Sequence, residues 1–192
     1  MTSNILKMHH TAFRCRDSET TRAFYEDFLN LLLAETLEIG LTKTGDRAQY
    51  LHTFYKMDDD SFLAFFEAPS MPFEFKKQHD FDLHIALEVE RDHMMAVKER
   101  ADALGMECRG ISDHDFIHSI YLRDPDGYVV ELTVKGAHHD EAVDPSKNNA
   151  RGKLDNWTKA KRDAGLGPDV DPGFGNVDTG TEAVGTAGER AD

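Results

Sequence analysis

Four residues carry metal-binding side chains on strand-like runs that have no structural need for them: His10, Glu67, His84 and Glu131. Two imidazoles and one or two carboxylates, converging from separate strands, make a divalent-metal site. A single strand histidine is usually a satisfied core or surface residue. Four such residues at equivalent places in two repeats form a pattern that accident rarely produces.

Alternate residues of a strand share a face. His10 then sides with Ala12 and Arg14, and His84 with Asp82, Ala86 and Glu88. Glu131 sides with Val129 and Thr133, and Glu67 with Leu63 and Phe65. On three of these four strands the ligand-bearing face is the more polar or smaller-residue side. Each repeat thus offers a histidine on its first strand and a carboxylate on its last.

The turn before Glu131 sharpens the geometry. In Asp124-Pro125-Asp126-Gly127, proline suits the second position of a type I turn, and glycine suits the left-handed residue of a G1 bulge. The resulting three-residue loop pairs Asp124 with Tyr128 and sets Tyr121 opposite Glu131, on the same face. Tyr121 could hydrogen-bond a metal-bound oxygen or a substrate hydroxyl. The plainer alternative is a packing tyrosine.

These residues need a scaffold, and the chain offers one twice. A strand over 5–16 is followed by an Asp17-Ser18 cap and a helix to about Leu33, on the spacing of Phe24, Phe28, Leu29 and Leu32. Strands over 49–56 and 61–67 follow. The order then repeats with a strand over 81–90, a helix capped at Asp92 and ended by Gly105, and a hairpin of 117–124 and 128–135. "HTAFRCRD" laid over "HIALEVER" matches a histidine and then an alanine two residues on, as a duplicated module would.

The domain itself is read as 1–136. A linker and extension helix over 137–164 follow, with Trp157 expected to dock that helix on the core or on a second subunit. Residues 165–192, with seven glycines and six acids against one arginine, are expected to be disordered.

Composition narrows the partners. Thirty-six acidic against 22 basic residues, a formal charge of −14 over 192 residues, argue against nucleic acid and against docking on anionic lipid. Neither a signal peptide nor a membrane span is evident. Cys15 and Cys108, far apart, read as free thiols of a reducing compartment, so a cytoplasmic location is expected. His93, His118, His138 and His139 read as surface residues. No glycine-rich dinucleotide fingerprint follows a strand, so neither flavin nor nicotinamide is signalled.

"HHTAFRCRDSETTRAFYEDFLNL", "FLAFFEAP", "DLHIALEVE" and "SIYLRDPDGYVVELT" together resemble the vicinal oxygen chelate superfamily of glyoxalases, fosfomycin and bleomycin resistance proteins, epimerases and extradiol ring-cleaving dioxygenases. The resemblance covers roughly residues 8–135. It implies an α+β fold of two paired βαβββ modules forming a cupped mixed sheet around one metal, and it makes a homodimer plausible. It places the ligands at His10, His84 and Glu131, with Glu67 at the fourth position used by glyoxalase-like members.

Within the superfamily, "DHDFIHSIYLRDPDGYVVEL" is most similar to extradiol dioxygenases, where a histidine and a tyrosine precede the ligand glutamate. His114 and Tyr121 match those places. The implied reaction is Fe(II)-dependent ring cleavage of a catechol-like aromatic, with His114 and Tyr121 positioning substrate and managing protons. The further acid–base histidine of the larger dioxygenases has no match in "FLAFFEAP"; His52 or His79 could substitute. The runner-up reading is a glyoxalase-like lyase or epimerase acting on a 2-oxo compound. That reaction would use Ni, Co, Zn or Mn, with Glu67 as ligand or base. A metal-free binding or resistance protein is the third reading.

Overall fold

Asp17 turns the chain out of its first strand and into its first helix. Its backbone is extended, and its Oδ1 accepts the Thr20 amide at 2.7 Å, the cap expected from sequence. The computed structural model describes residues 5–41, 47–75 and 79–166. Strand β1 covers His10–Cys15, and helix α1 covers Ser18–Arg22. The helix then widens into π-helical turns over Ala23–Phe28, where the Leu29 amide reaches the Phe24 carbonyl at 3.0 Å. That winding brings Phe24, Tyr25, Phe28 and Leu29 all into the core.

The helix therefore stops short of Leu33, which instead opens a strand the sequence pattern did not signal. Strand β2 covers Leu33–Leu41, and its residues Ala34–Glu38 are all exposed, so no apolar alternation marks it. Strands β3 (Arg47–Lys56) and β4 (Phe62–Glu67) complete the first module. The second module repeats the order with β5 (His84–Glu88), α2 (Arg91–Ala103), β6 (Arg109–Asp113), β7 (Ile117–Arg123) and β8 (Val129–Lys135). Here β6, mostly exposed, is again a strand without a hydrophobic signature. Helix α2 is preceded by an extended Glu90 with no side-chain cap, and Asp92 lies inside its first turn.

Each module folds a four-stranded mixed sheet in the same order, β1-β4-β3-β2 and β5-β8-β7-β6. The first and last strands of each module run parallel, with His10 beside Phe62 in one and His84 beside Val129 in the other. One face of each sheet is packed. Phe65, Leu63, Tyr55 and Tyr25 under the first sheet join Met94, Val97, Ile120, Leu122, Val130 and Leu132 of the second in a single core. Each such side chain stabilises the fold by roughly 1.5–3 kcal/mol on burial. The helices are tied by polar contacts too: Arg100 donates to the Phe28 carbonyl at 2.6 Å, and the His93 ring to that of Leu29 at 3.1 Å. His93 is thus half-buried rather than a free surface residue.

The other face of β1 and β5 stays open: His10, Ala12, His84, Ala86 and Glu88 are all exposed. The histidines therefore sit on the solvent side of their sheets.

The chain divides into two compact units. Of the described residues, the first holds those up to Ser112 and Ser119–Val134; the second holds Asp113–His118 and 135–166. In the second unit the Gly136 amide donates to the Phe116 carbonyl at 2.8 Å, and helices α3 (His139–Ala142) and α4 (Ala150–Asp163) follow. On α4, Trp157 is 64% exposed and Leu154 55% exposed. The apolar stripe of α4 is only Ala150, Leu154 and Trp157, too thin to bury a helix of this length. Of the tail expected to be disordered, residues 167–192 lie outside the described residues.

Candidate metal centre

His84 opens β5, and its parallel pairing with β8 sets Ala86 beside Glu131. Because Val129 is the partner of His84, Glu131, two residues on, shares its face. His84 Nε2 lies 3.4 Å from Glu131 Oε2. Two ligands at right angles on one metal, each at ~2.1 Å, stand ~3 Å apart, so this pair is nearly spaced for joint coordination. The other ring nitrogen is already committed. His84 Nδ1 lies 3.2 Å from the Asp80 carbonyl oxygen, which only accepts, so Nδ1 is the donor in that contact and Nε2 is the ring nitrogen that faces Glu131.

The turn chemistry puts Tyr121 where the sequence placed it. The Gly127 amide donates to the Asp124 carbonyl at 3.0 Å, Gly127 takes φ 98°, and the Asp124 amide donates to the Tyr128 carbonyl at 3.0 Å. The Tyr121 hydroxyl donates to Glu131 Oε1 at 3.2 Å. Burial, reinforced by the Glu131 charge, raises the pKa of this phenol, so it remains a donor at neutral pH. Glu131 is 5% exposed, a buried carboxylate with one oxygen on a tyrosine and the other at a histidine.

The remaining site residues lie elsewhere. His10 is exposed, with its Nδ1 2.8 Å from that of His9 and its ring 6.2 Å from His52. Among the described residues no three His, Cys, Asp or Glu gather closely enough to hold a metal ion, so His10 stands apart from the His84–Glu131 pair. Glu67 does not join His10 either. It pairs with Cys15 on the core-facing side of β4, with Leu63 and Phe65, and its Oε2 accepts the Ser18 amide at 2.7 Å, closing the start of α1. His10 pairs with Phe62, on the opposite face, so the odd spacing from Phe62 to Glu67 turns the carboxylate away.

His52 shares the open face. It pairs with Phe66, stacks on that ring at 3.6 Å, and donates from Nδ1 to the Phe65 carbonyl at 3.0 Å. Its burial lowers its pKa and favours the neutral imidazole. His79 is exposed and accepts the Phe81 amide at 3.1 Å. His114 belongs to the second unit, exposed in the turn between β6 and β7, its amide donating to the Ile117 carbonyl at 2.9 Å.

Residues 7–132 match the family model described as the glyoxalase/bleomycin resistance protein/dioxygenase superfamily. The chain belongs to that superfamily. A glyoxylase/bleomycin resistance protein/dioxygenase domain from Frankia sp. EAN1pec shares the fold, at 15% identity, a TM-score of 0.55, and coverage of 69% of this chain and 100% of that one. The chain is also similar to the fosfomycin resistance protein FosX of Listeria monocytogenes, solved with Mn(II) and sulfate. That match has 20% identity, TM-score 0.48, and coverage of 72% of this chain and 98% of that one. Oxidase ChaP-H1 is similar at 20% identity, TM-score 0.49, over 69% and 98%. No functionally curated protein matches the chain.

Glyoxalase/bleomycin resistance protein/dioxygenase superfamily members include metal-dependent enzymes and resistance proteins, and members bind divalent metals and small molecules. Among the described residues no helix is long and apolar enough to cross a membrane. Residues around the pair that the sequence did not signal are Asp80, Arg109 and Arg123. Asp80 holds His84 through a main-chain carbonyl, which any residue type supplies, and nothing in the spacing of the two arginines marks them.

Proposed function

We propose that this protein is an Fe(II) extradiol dioxygenase cleaving a catechol-like aromatic, with its metal held by His84 and Glu131 of one chain and His10 of a second copy. The observation that carries the reading is the His84 Nε2–Glu131 Oε2 approach of 3.4 Å, with Tyr121 on the second carboxylate oxygen. Two histidines and one carboxylate leave adjacent positions open and match the non-haem Fe(II) ligand set. Bound there, Fe(II) would supply the redox chemistry at which a catecholate and O₂ meet.

The chain's own residues do the rest. Asp80 fixes the His84 tautomer, and Tyr121 orients Glu131 and offers a proton to an oxygen of the aromatic. His52 of the copy that supplies His10, neutral and stacked on Phe66, is placed beside that histidine to accept one. The exposure of His10 and of the open β1 and β5 faces supports completion by a second copy. The lyase or epimerase alternative drew its fourth ligand and base from Glu67. That carboxylate's bond to the Ser18 amide on the far face weighs against it.

Purification without chelators, metal analysis and an oxygen electrode test the reading. Iron with O₂ uptake and a yellow ring-cleavage product on catechols is expected. Nickel, cobalt or zinc with no uptake across a catechol panel overturns it.

A further inference from the structure

Beside the candidate metal centre, two arginines converge on one carboxylate. Arg123 Nη2 donates to Asp80 Oδ1 and Arg109 Nη2 to Asp80 Oδ2, each at 2.7 Å, so each guanidinium takes one oxygen of a planar anion. Both are held from their other sides. Arg123 Nη1 donates to the Gly127 carbonyl at 2.9 Å, and the Arg109 guanidinium lies 5.7 Å from the centre of the Tyr121 ring. Arg109, Tyr121, Leu122 and Arg123, with Glu107, line a cavity of about 190 Å³. Tyr121 belongs to both places, its ring under Arg109 and its hydroxyl on Glu131.

We propose that Arg109 and Arg123 form a carboxylate-binding subsite, which Asp80 occupies as an internal ligand, and that the substrate is an aromatic diol bearing a carboxylate. The assignment of the diol end rests on the dioxygenase reading above; the carboxylate end rests on the arginine pair alone. The Asp80 carboxylate displays the geometry that a ligand carboxylate would adopt there. The side chains of Arg109 and Arg123 are 54% and 51% exposed and that of Asp80 is 30% exposed, so these ion pairs are of the solvent-screened kind that exchange readily. The Asp80 backbone meanwhile stays on His84 through its carbonyl, and Asp82 accepts the His79 amide at 3.0 Å within the same turn. Only the Asp80 side chain has to swing aside. Glu107 in the cavity wall disfavours a second negative group, which restricts the subsite to a single carboxylate.

Calorimetric titration of the full chain with catechol, 3,4-dihydroxybenzoate and benzoate tests this. The wild type is expected to bind 3,4-dihydroxybenzoate ~10-fold or more tightly than catechol, and Asp80→Asn to tighten benzoate binding by a similar factor. In Arg109→Gln and Arg123→Gln, each checked for an unchanged circular dichroism spectrum, that preference should collapse toward one. Equal affinity of the wild type for the two diols, or benzoate binding that ignores Asp80→Asn, overturns the subsite. Benzoate lacks the diol, so its arm reads the arginines without the metal. Retained benzoate binding with no catechol binding would sink the dioxygenase reading alone.

Discussion

The Tyr121 hydroxyl donates to Glu131 Oε1 at 3.2 Å across adjacent strands, while His84 stands 3.4 Å from the other carboxylate oxygen. The tyrosine thus fixes which oxygen faces the histidine. Replacing it by phenylalanine keeps the ring against Arg109 and removes one donor. Tyr121→Phe is therefore expected to keep its metal while kcat for ring cleavage falls ~10²-fold, the scale of a lost proton donor. Metal analysis beside steady-state oxygen uptake checks both halves. Loss of metal together with activity would make Tyr121 a structural prop of Glu131 instead.

A site shared between copies has a signature that a site within one chain lacks. His10→Ala and Glu131→Ala should each abolish activity. In a dimer exchanging freely between the two variants, each mixed dimer keeps one intact site, from His10 of one copy and Glu131 of the other. Random mixing should restore about a quarter of wild-type activity, since half the dimers are mixed and each holds one of two sites. Co-purification with two different tags and an oxygen electrode measure this. No recovery in isolated mixed dimers rules out the shared site.

Much of this centre was legible in the sequence because it depends on period-two alternation and turn chemistry. Gly127 and Pro125 imply the three-residue loop, and that loop carries Tyr121 to Glu131. Glu67 shows where such reasoning fails. Its face was readable beside Leu63 and Phe65, yet the family pattern pulled it toward the metal, and only the Phe62–His10 register shows it on the far side. Strands β2 and β6 are not legible because their exposed residues leave no hydrophobic period. The carbonyl of Asp80 is not legible either, because main-chain acceptors carry no residue signature. The separation of His10 from His84 is a matter of tertiary placement, which strand patterns do not encode.

Glu67, the last residue of β4, instead closes the start of α1, and that role has its own consequence. Its Oε2 accepts the Ser18 amide at 2.7 Å, a charge-assisted bond at the positive end of α1. Glu67→Ala is expected to lower unfolding stability by about 1–2 kcal/mol in urea titration. The metal content of the folded protein should not change. Loss of metal at unchanged stability would return Glu67 to the ligand set.

The loop that positions Tyr121 also holds a titrating group whose effect on stability has a definite sign. Asp124 is 5% exposed; its Oδ2 accepts the Tyr25 hydroxyl at 3.0 Å, and its Oδ1 accepts the Asp126 amide at 3.0 Å and the Tyr128 amide at 2.8 Å. Burial outweighs these bonds and pushes its pKa up to about 6. An unfolded aspartate titrates near ~3.9, so between about pH 4 and pH 6 the folded chain binds more protons at this site. The contribution of Asp124 is therefore fully present at low pH and is lost as pH rises through 6, by on the order of 3 kcal/mol. Asp124→Asn carries no such titration. The wild-type stability minus that of Asp124→Asn, followed by urea unfolding from pH 4 to pH 7, should fall by that amount whatever the fixed cost of the substitution. A difference that stays level, or rises with pH, would mean that the hydrogen bonds from Tyr25, Asp126 and Tyr128 hold the carboxylate ionised despite its burial.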